Sequence, residues 1–397
     1  MRGIDCLEFR LQDARHQICR MKRENLLMVS DSDHNADMLY AVGMFVPDPF
    51  IYARVNGKPH IVVSDLEIDR ARSMAPHCRV VSLSRIQRAI RAEGRHKVGI
   101  PQVIKHLLKG YGVRRVMVPE HFPLGLARDL QRQRIKVRPK DGMFFPERQV
   151  KSAKEVKKIS GALMMAEVGL AEGIQAVKSS KVDRKRRLIY HGNPLTAEKL
   201  RSIIDTAIVQ AGGLACNTIV AGGRQACDPH ERGHGLLRAN EPIVLDVFPR
   251  SQRTGYFGDI TRTVVKGRAS EAVRKVYHVI ERGQEIAFEK MRHGMSGREV
   301  HLCVQEFFEK EGYRTTRTNG RMQGFFHGTG HGVGLEIHEA PRIGASSNDT
   351  LRAGHVVTVE PGLYYWELGG GVRLEDMALI TTNGPRNLTK FEKVLEV

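Results

Sequence analysis

Three histidines lie close together among glycines in the segment from Phe326 to Pro341, which reads F-H-G-T-G-H-G-V-G-L-E-I-H-E-A-P. They are His327, His331 and His338. Imidazole groups bind borderline metal ions and move protons near neutral pH. Glycine-dense backbone is costly to order, so it often marks a close approach of the main chain to another group. Taken alone, the segment is equally typical of a surface loop with solvated histidines, so its interpretation depends on its surroundings.

Four carboxylates interrupt otherwise apolar strand patterns on either side of this segment. Asp246 stands in E-P-I-V-L-D-V-F and Asp259 in G-Y-F-G-D-I-T-R-T-V-V. Glu360 ends H-V-V-T-V-E, and Glu375 stands in G-G-V-R-L-E-D-M. An unpaired carboxylate is costly to bury, so each acid needs a cation, and a single acid could pair with one of the abundant arginines. Four such acids around a segment rich in glycine and histidine instead favour a metal centre.

Four carboxylates and one imidazole form an oxygen-rich ligand set for one or two divalent ions. Mn²⁺, Co²⁺, Zn²⁺ and Fe²⁺ are all chemically compatible with such a set. Two ions that share bridging carboxylates would hold a water molecule between them and lower its pKa, which gives a hydroxide nucleophile near neutral pH. The predicted chemistry is therefore the hydrolysis of an amide or an ester.

The elements that must position these residues can be predicted from hydrophobic periodicity. Asp246 and Asp259 are thirteen residues apart, which suits two strands joined by the polar turn at 249–255. Apolar residues at helical spacing predict a long helix from about Ser152 to Val177. We expect further helices at 196–211, 270–291 and 296–311, and strands at 243–248, 259–265, 356–360 and 372–381. Helix pair, strands, helix pair, strands is a duplicated layout, although the sequence itself shows no repeat.

The first part of the chain, up to about Glu147, alternates short apolar strands with charged helices. We expect strands at 25–30, 61–64 and 115–119, and helices at 84–93 and 124–134. This alternation predicts a small α/β domain, and no phosphate loop or dinucleotide fingerprint accompanies it. Since 397 residues are too many for one ordinary core, the chain is predicted to form two domains, 1–147 and 148–397, with a linker around 141–147.

The order Asp, Asp, His, Glu, Glu resembles the metallopeptidase family of methionine aminopeptidase, aminopeptidase P and prolidase, which has the pita-bread fold. The motifs D-x-T-R-T, H-G-x-G-H-x-x-G-x-x-x-H, V-E-P-G-L-Y and R-x-E-D carry this resemblance over roughly 148–397. The preceding α/β domain is similar to that of aminopeptidase P, prolidase and creatinase, which favours the proline-peptidase branch. The implied fold class is α/β (α+β), with an N-terminal creatinase/prolidase-like α/β domain followed by a C-terminal pita-bread catalytic domain.

The resemblance implies the metal ligands. Asp246 would chelate one metal ion, and Asp259 and Glu375 would bridge both ions. His331 and Glu360 would bind the second ion, and Glu360 would also shuttle a proton. Creatinase resembles this fold without the complete ligand set, so the presence of all five ligands argues against creatinase activity and against a pseudo-enzyme.

The resemblance also implies residues that contact the substrate. His338 would contact the substrate carbonyl or the developing oxyanion, and it lies seven residues after His331, as in the family. His230, in A-C-D-P-H-E-R-G, would face the amine or carbonyl side of the substrate. His327 is expected near the substrate pocket, and Thr261 and Arg373 would orient ligands or substrate. The turn between Asp246 and Asp259 is longer than the commonest family version, so the rim at 249–256 is expected to differ.

The implied function is that of a dinuclear-metal-dependent Xaa-Pro peptidase, which hydrolyses the bond between an N-terminal residue and proline. Two divalent ions are expected, with Mn²⁺ first and Co²⁺ or Zn²⁺ as alternatives. The partner is a peptide substrate, and a homodimer is expected because in relatives a neighbouring N-terminal domain often closes the pocket. A prolidase-type dipeptidase, or a peptidase without strict proline specificity, is the alternative within the enzyme class.

The chain carries a net charge of +19, with basic runs at 132–140 and 184–187. Such runs attract nucleic acid or acidic substrates, so a non-catalytic pita-bread protein that binds nucleic acid is the alternative of another class. No recognised nucleic-acid motif accompanies the runs, and we expect no nucleic-acid partner. No apolar run long enough for a membrane span and no secretory signal is present, and six scattered cysteines suit free thiols. We therefore expect a cytoplasmic protein without membrane contact.

Overall fold

The computed structural model describes residues 24–95 and 97–397. These residues form two compact units, one ending at Pro146 and the other beginning at Glu147. Within the described residues, no helix combines the length and the apolar character that a membrane span requires. The four cysteines in this part of the chain are free thiols: Cys78, Cys216, Cys227 and Cys303.

The first unit is a six-stranded mixed sheet with helices on both faces. Its strands are β1 (Leu26–Ser30), β2 (Phe50–Val55), β3 (Lys58–Val63), β4 (Arg79–Ser82), β5 (Arg115–Val118) and β6 (Lys136–Pro139). Its helices are α1 (Ala36–Val42), α2 (Ile68–Met74), α3 (Leu83–Ala92), α4 (Ile100–Lys109) and α5 (Leu124–Arg132). The strand order is β4-β3-β2-β1-β5-β6, with antiparallel pairing from β1 to β3 and parallel pairing elsewhere. The helices and strands predicted for this region are confirmed, with ends that differ by a few residues.

Alternation along β1 explains why both faces of this sheet are covered. Leu27 packs into a cluster with apolar residues of α3, α4 and α5. Leu26 and Met28 point to the opposite face, where they pack with residues of α1 and α2. Successive strand side chains point to opposite faces, so an apolar strand without polar interruptions must be buried on both sides.

The second unit contains four long helices, each preceded by a hydroxyl side chain that caps it. They are α6 (Ala153–Ser179), α7 (Ala197–Gln210), α8 (Glu271–Lys290) and α9 (Gly297–Lys310). Ser152, Thr196, Ser270 and Ser296 each accept a hydrogen bond from a backbone N–H of the first helical turn. Ser152 also forms a reciprocal capping box with Glu155. The four predicted helices are confirmed.

Strands follow each helix pair in this unit. Three short strands lie between α6 and α7: β7 (Lys181–Val182), β8 (Leu188–Tyr190) and β9 (Asn193–Pro194). The first group, after α7, is β10 (Gly213–Leu214), β11 (Ile219–Gly222), β12 (Pro242–Val247), β13 (Arg250–Ser251) and β14 (Ile260–Val265). The second group is β15 (Thr316–Thr318), β16 (Arg321–Gln323), β17 (Gly330–Gly332), β18 (Glu339–Ile343), β19 (Val356–Val359), β20 (Gly362–Tyr365), β21 (Gly370–Arg373), β22 (Asp376–Thr381) and β23 (Gly384–Asn387). A β11-β12-β14 sheet follows α6 and α7, and a β18-β17-β19-β22-β23 sheet follows α8 and α9, which confirms the duplicated layout.

The prediction of one continuous strand at 372–381 is wrong. β21 ends at Arg373 and pairs with β20, whereas β22 begins at Asp376 and pairs with β19. Between them, the backbone N–H of Glu375 donates to the carbonyl of Thr261 at 3.1 Å. The chain changes partner strands here because Glu375 is bound to β14 and not to either neighbour. The segment contains no glycine or proline at this point, so the sequence pattern did not reveal the break.

Candidate metal centre and active site

Strand pairing between β12 and β14 places three polar side chains on one face. Asp246 lies directly opposite Thr261 in the antiparallel register. Asp259 precedes Thr261 by two residues and thus shares its face, because strand side chains alternate with a period of two. The prediction of two paired strands at 243–248 and 259–265 is confirmed. Asp259 is buried, with 3% of its surface exposed.

Thr261 also connects Glu375 to this face. Its hydroxyl donates to Oε2 of Glu375 at 2.7 Å, and its carbonyl accepts the Glu375 backbone N–H at 3.1 Å. Glu375 is 2% exposed, so its carboxylate is fixed within the protein interior. The strand break after Arg373 is what allows Glu375 to reach β14 from a different sheet.

His331 lies in the short buried strand β17, not in an open loop. Its Nδ1 is 3.1 Å from the carbonyl of Gly332, so the proton lies on Nδ1 and Nε2 is left free for a ligand. Nε2 is 3.2 Å from Oε1 of Glu360 and 3.8 Å from Oδ2 of Asp259. Thr358 accepts the backbone N–H of His331 at 3.0 Å and donates to Glu360 Oε1 at 3.1 Å. The Thr358 hydroxyl group thereby positions both His331 and Glu360.

The glycines beside His331 are required by close backbone approach. A Cβ on Gly330 would collide with the carbonyl of Thr358, and a Cβ on Gly332 would collide with the carbonyl of Ala340. The register of β17 against β18 also shifts between His331 and Gly332, which forms a bulge at the histidine. This confirms the interpretation of the glycine-dense segment as a place of close approach.

The buried carboxyl groups have strongly perturbed pKa values. Burial raises the pKa of Asp259 well above its ordinary value, and the charges of Glu375, Asp246 and Glu360 raise it further. Burial likewise raises the pKa of Glu375, and the charges of Glu360 and Asp246 raise it further. Burial also raises the pKa of Asp246, although Arg373 acts to lower it. Burial acts to raise the pKa of Glu360 too, but the hydrogen bond and charge of His331 lower it to about 2. These groups cannot all be ionised together without a further cation.

The residues present fit divalent metal ions. Oδ1 of Asp246 is buried and has no hydrogen-bond partner within the described part of the chain. Donor atoms of Asp259, His331 and Glu375 all lie within 4.8 Å of one another. A bound cation would give Oδ1 of Asp246 a partner and reduce the repulsion between the carboxylates. Carboxylates with one imidazole suit divalent ions that prefer oxygen and nitrogen ligands.

Arg373 begins a chain of hydrogen bonds that leads away from the metal centre. It is 3% exposed, and its Nη2 donates to Oδ2 of Asp246 at 2.6 Å. Its Nη1 donates to the hydroxyl of Tyr364 at 3.0 Å, and that hydroxyl lies 2.9 Å from Nε2 of His327. Nδ1 of His327 is 2.8 Å from the carbonyl of Gly328, so Nδ1 donates there and Nε2 accepts from Tyr364. Tyr364 thus links Arg373 to His327, a connection that the sequence did not predict.

Burial sets the protonation states along this chain. It raises the pKa of Tyr364 to about 12, although Arg373 acts in the opposite direction, so the phenol keeps its proton. Burial lowers the pKa of His327 below its ordinary value, so the imidazole is neutral at pH 7. Sequence reasoning missed Tyr364, because an aromatic residue in an apolar strand is typical of a core position. Its place in V-E-P-G-L-Y was the only available indication.

All the predicted ligands and substrate-contacting residues line one cavity of about 1230 Å³: His230, Asp246, Asp259, His327, His331, His338, Glu360, Arg373 and Glu375. The ring centroids of His331 and His338 are 4.4 Å apart, with the rings nearly perpendicular. Partial burial, and then the neighbouring His331, lower the pKa of His338 to about 4. His230 is exposed in the same cavity, and its backbone N–H donates to Asp228 at 3.1 Å. Thr261 lies behind the cavity, where it binds Glu375.

A buried ion cluster lies beside His338 and was also missed. The carboxylate of Glu339 accepts from Nη2 of Arg148 at 3.0 Å and pairs with Nζ of Lys151. The same Nη2 donates to Glu336 at 2.8 Å. The cluster fixes the turn that ends at His338, and no local pattern predicts pairing over nearly two hundred residues of sequence.

Comparison with known proteins agrees with this geometry. Residues 157–382 match metallopeptidase family M24. The chain is 31% identical over 287 residues to the Xaa-Pro dipeptidase of Pyrococcus horikoshii, covering 72% of this chain and 75% of that protein. It is 32% identical over 256 residues to the Xaa-Pro dipeptidase of Pyrococcus furiosus, covering 64% and 67%.

Solved structures share the two-domain fold over nearly the whole chain. The X-Pro aminopeptidase of Thermotoga maritima has a TM-score of 0.79 at 22% identity, covering 94% of this chain and 97% of that one. The prolidase of Pyrococcus horikoshii has a TM-score of 0.75 at 24% identity, covering 96% and 97%. The fold is thus the expected α/β domain followed by a pita-bread catalytic domain, and the family implies divalent metal ions at the centre. Because the family match extends over more than half of the sequence, this protein belongs to metallopeptidase family M24.

Proposed function

We propose that this protein is a metal-dependent Xaa-Pro peptidase, which hydrolyses the bond between an N-terminal residue and proline. The main support is the convergence of five acid and histidine side chains with three further histidines and a buried arginine on one cavity. The two Pyrococcus relatives named as Xaa-Pro dipeptidases support proline in the second position of the substrate.

In this proposal Asp246, Asp259, His331, Glu360 and Glu375 hold two divalent ions. Mn²⁺ is the first choice because four of the five ligands are carboxylates, and Co²⁺ or Zn²⁺ are alternatives. When bound, such ions polarise the scissile carbonyl group and lower the pKa of a water molecule. The positive charge of the ions offsets the cost of burying the carboxylates.

The protein's own groups then orient the substrate and move protons. Glu360 faces the cavity and accepts a proton from the attacking water molecule. Glu360 then passes this proton to the nitrogen of the leaving proline. His338 donates an N–H to the oxygen of the scissile carbonyl as negative charge develops there. His230 faces the amine or carbonyl side of the substrate. Arg373 holds Asp246 in place and, through Tyr364, fixes the ring of His327 against the pocket.

We propose further that the N-terminal α/β domain spans 1–147 and the catalytic domain 148–397, and that the protein acts as a cytoplasmic homodimer. The division of the described residues at Pro146 supports this boundary. A dimer would allow the N-terminal domain of one copy to close the pocket of another. Sedimentation of the purified chain, compared with that of the catalytic domain expressed alone, tests the proposed homodimer.

The proposal is tested by hydrolysis of Xaa-Pro dipeptides beside Xaa-Pro-Xaa tripeptides, with chelated protein and after addition of Mn²⁺, Co²⁺ or Zn²⁺. We expect cleavage only with metal, and the dipeptide-to-tripeptide ratio distinguishes a dipeptidase from an aminopeptidase. Asp259→Ala and His331→Ala should abolish cleavage while the chain stays folded. His278→Ala, on the exposed surface of α8, is the matched control and should retain full activity. Full activity of either ligand variant would refute the proposal.

A further inference from the structure

A second cavity, of about 480 Å³, opens beside the catalytic one. The two cavities share part of their walls, since Asp228, Pro229, Met322 and Phe326 line both. Tyr364, which binds Arg373 on the catalytic side, also lines the second cavity. The second cavity therefore adjoins the catalytic one along these residues.

Two arginines flank a tryptophan in this second cavity. The guanidinium of Arg321 lies 4.1 Å from the ring centroid of Trp366, and that of Arg224 lies 5.2 Å from it. Within the described residues, neither guanidinium has a hydrogen bond to an acceptor or an ion pair with a carboxylate. Stacking on an aromatic face orients a guanidinium group but uses none of its N–H donors. We call Arg224, Arg321 and Trp366 the arginine–tryptophan groove.

The acids of the same cavity form no ion pair with these arginines. Asp228 accepts the backbone N–H of His230 at 3.1 Å, so its carboxylate is engaged within its own turn. Glu231 accepts the backbone N–H of Gly233 at 2.9 Å and lies 3.6 Å from Nδ1 of His234. Both acids thus contact their own loop and form no ion pair with Arg224 or Arg321, so the N–H donors of the two guanidinium groups have no acceptor within the described residues.

We propose that the arginine–tryptophan groove binds a carboxylate of the peptide substrate. This inference rests on the proposed peptidase function and narrows its substrate class to peptides longer than Xaa-Pro. The planar fork of a guanidinium group matches the two oxygens of a carboxylate. The carboxylate is either the C-terminus of a short peptide or an acidic side chain, and both present the same chemistry to the groove.

Kinetics with matched peptides distinguish these sources. Ala-Pro-Ala-Ala is compared as the free acid and as the amide, and Ala-Pro-Glu-Ala amide is compared with Ala-Pro-Gln-Ala amide. Arg321→Met and Arg224→Met should each raise KM about five-fold for the peptides that carry the recognised carboxylate, the fold-change that corresponds to roughly 1 kcal/mol for one partly exposed ion pair. The kcat of these variants and the KM for neutral peptides should stay unchanged.

Arg317→Met is the matched control, because Arg317 is an exposed arginine of the same β15–β16 hairpin outside both cavities. It should leave every KM unchanged. The inference is overturned if the Arg321 and Arg224 variants affect neutral and acidic peptides equally, or if they affect neither. An effect on the free acid alone assigns the groove to the C-terminus, and an effect on the glutamate peptide alone assigns it to a side chain.

Trp366 provides a readout that does not depend on hydrolysis, because it is the only tryptophan of the chain. Its fluorescence is titrated in chelated protein with each of the four peptides. We expect a saturable change with the carboxylate peptides, which is weakened about five-fold by Arg321→Met. Such binding without any cleavage after metal addition would refute the peptidase proposal and leave the groove standing. Cleavage without any carboxylate-dependent change would refute the groove alone.

Discussion

Replacing Glu339 by glutamine tests the buried ion cluster beside His338. Glu339 is the shared partner of Arg148 and Lys151, and each of the three residues is 6% exposed. Glutamine keeps the shape of the side chain but removes its charge, which leaves two buried cations facing a neutral amide. Breaking a buried ion pair in this way costs roughly 3–5 kcal/mol of the free energy of unfolding.

Glu336→Gln is the control for this variant, because Glu336 binds the same Nη2 atom of Arg148 at 2.8 Å. Its side chain is 55% exposed, so the loss of an exposed ion pair should cost less than about 1 kcal/mol. Urea denaturation followed by Trp366 fluorescence measures both variants and reports on the catalytic unit, which contains the only tryptophan. Equal losses for the two variants would show that burial of Glu339 does not decide the stability of the cluster.

The pH dependence of the Glu339→Gln variant provides a second check. Burial lowers the pKa of Lys151, and Glu339 acts against this shift, so removal of the acid should lower the pKa further. Between the lowered pKa of the folded state and the unfolded pKa near 10.5, the unfolded chain binds more protons than the folded one, so stability rises with pH. We therefore expect the deficit of the variant to be larger at pH 6 than at pH 9. A deficit independent of pH would refute the assignment of the loss to a buried charge on Lys151.

Two further predictions concern the active site. Tyr364→Phe removes the hydroxyl group between Arg373 and His327. We expect kcat to fall about ten-fold, the equivalent of roughly 1.4 kcal/mol, while the metal content stays unchanged. A normal kcat would show that the hydroxyl group positions neither residue. In the metal-free protein the raised pKa values of Asp259 and Glu375 mean that the folded chain binds more protons than the unfolded one above pH 4–5. The pKa values of His301, His338 and His355 are lowered to about 4, so these histidines oppose the effect below pH 6.5 and are neutral in both states above pH 7. Chelated protein should therefore lose stability as pH rises from 7 to 8.5, and Mn²⁺ should restore it at pH 8.5. Calorimetric melting with and without chelator would contradict this if the metal-free protein were equally stable at both pH values.

Local rules explain the parts of the fold that sequence could predict. Hydrophobic periodicity predicted all four long helices, and each starts after a serine or threonine whose side chain satisfies an N–H that the helix leaves free. The spacing of Asp246 and Asp259 predicted two strands joined by a polar turn, and the pairing of these strands places both side chains on one face. These features depend on residues within one element or one hairpin.

The parts that could not be predicted depend on pairs distant in sequence. Tyr364 matters because Arg373 and His327 both reach its hydroxyl, and Glu339 matters because Arg148 and Lys151 precede it by almost two hundred residues. The break before Asp376 arises because Glu375 binds the backbone of β14. In each case the local pattern is that of an ordinary core or surface residue, and only the tertiary partner gives it a role.

The buried charges do not account for the net charge of +19. Among the described residues, the fully buried charged side chains are four basic and four acidic ones: Arg148, Lys151, Arg262, Arg373, Asp259, Glu339, Glu375 and Asp376. These charges cancel, so the positive surplus lies on less buried side chains, and it attracts acidic peptides over about one Debye length, roughly 8–10 Å in physiological salt. Such attraction raises the rate of encounter but selects no sequence. Arg224 and Arg321 line a cavity that shares wall residues with the catalytic one, so we expect their charge to act on the bound substrate.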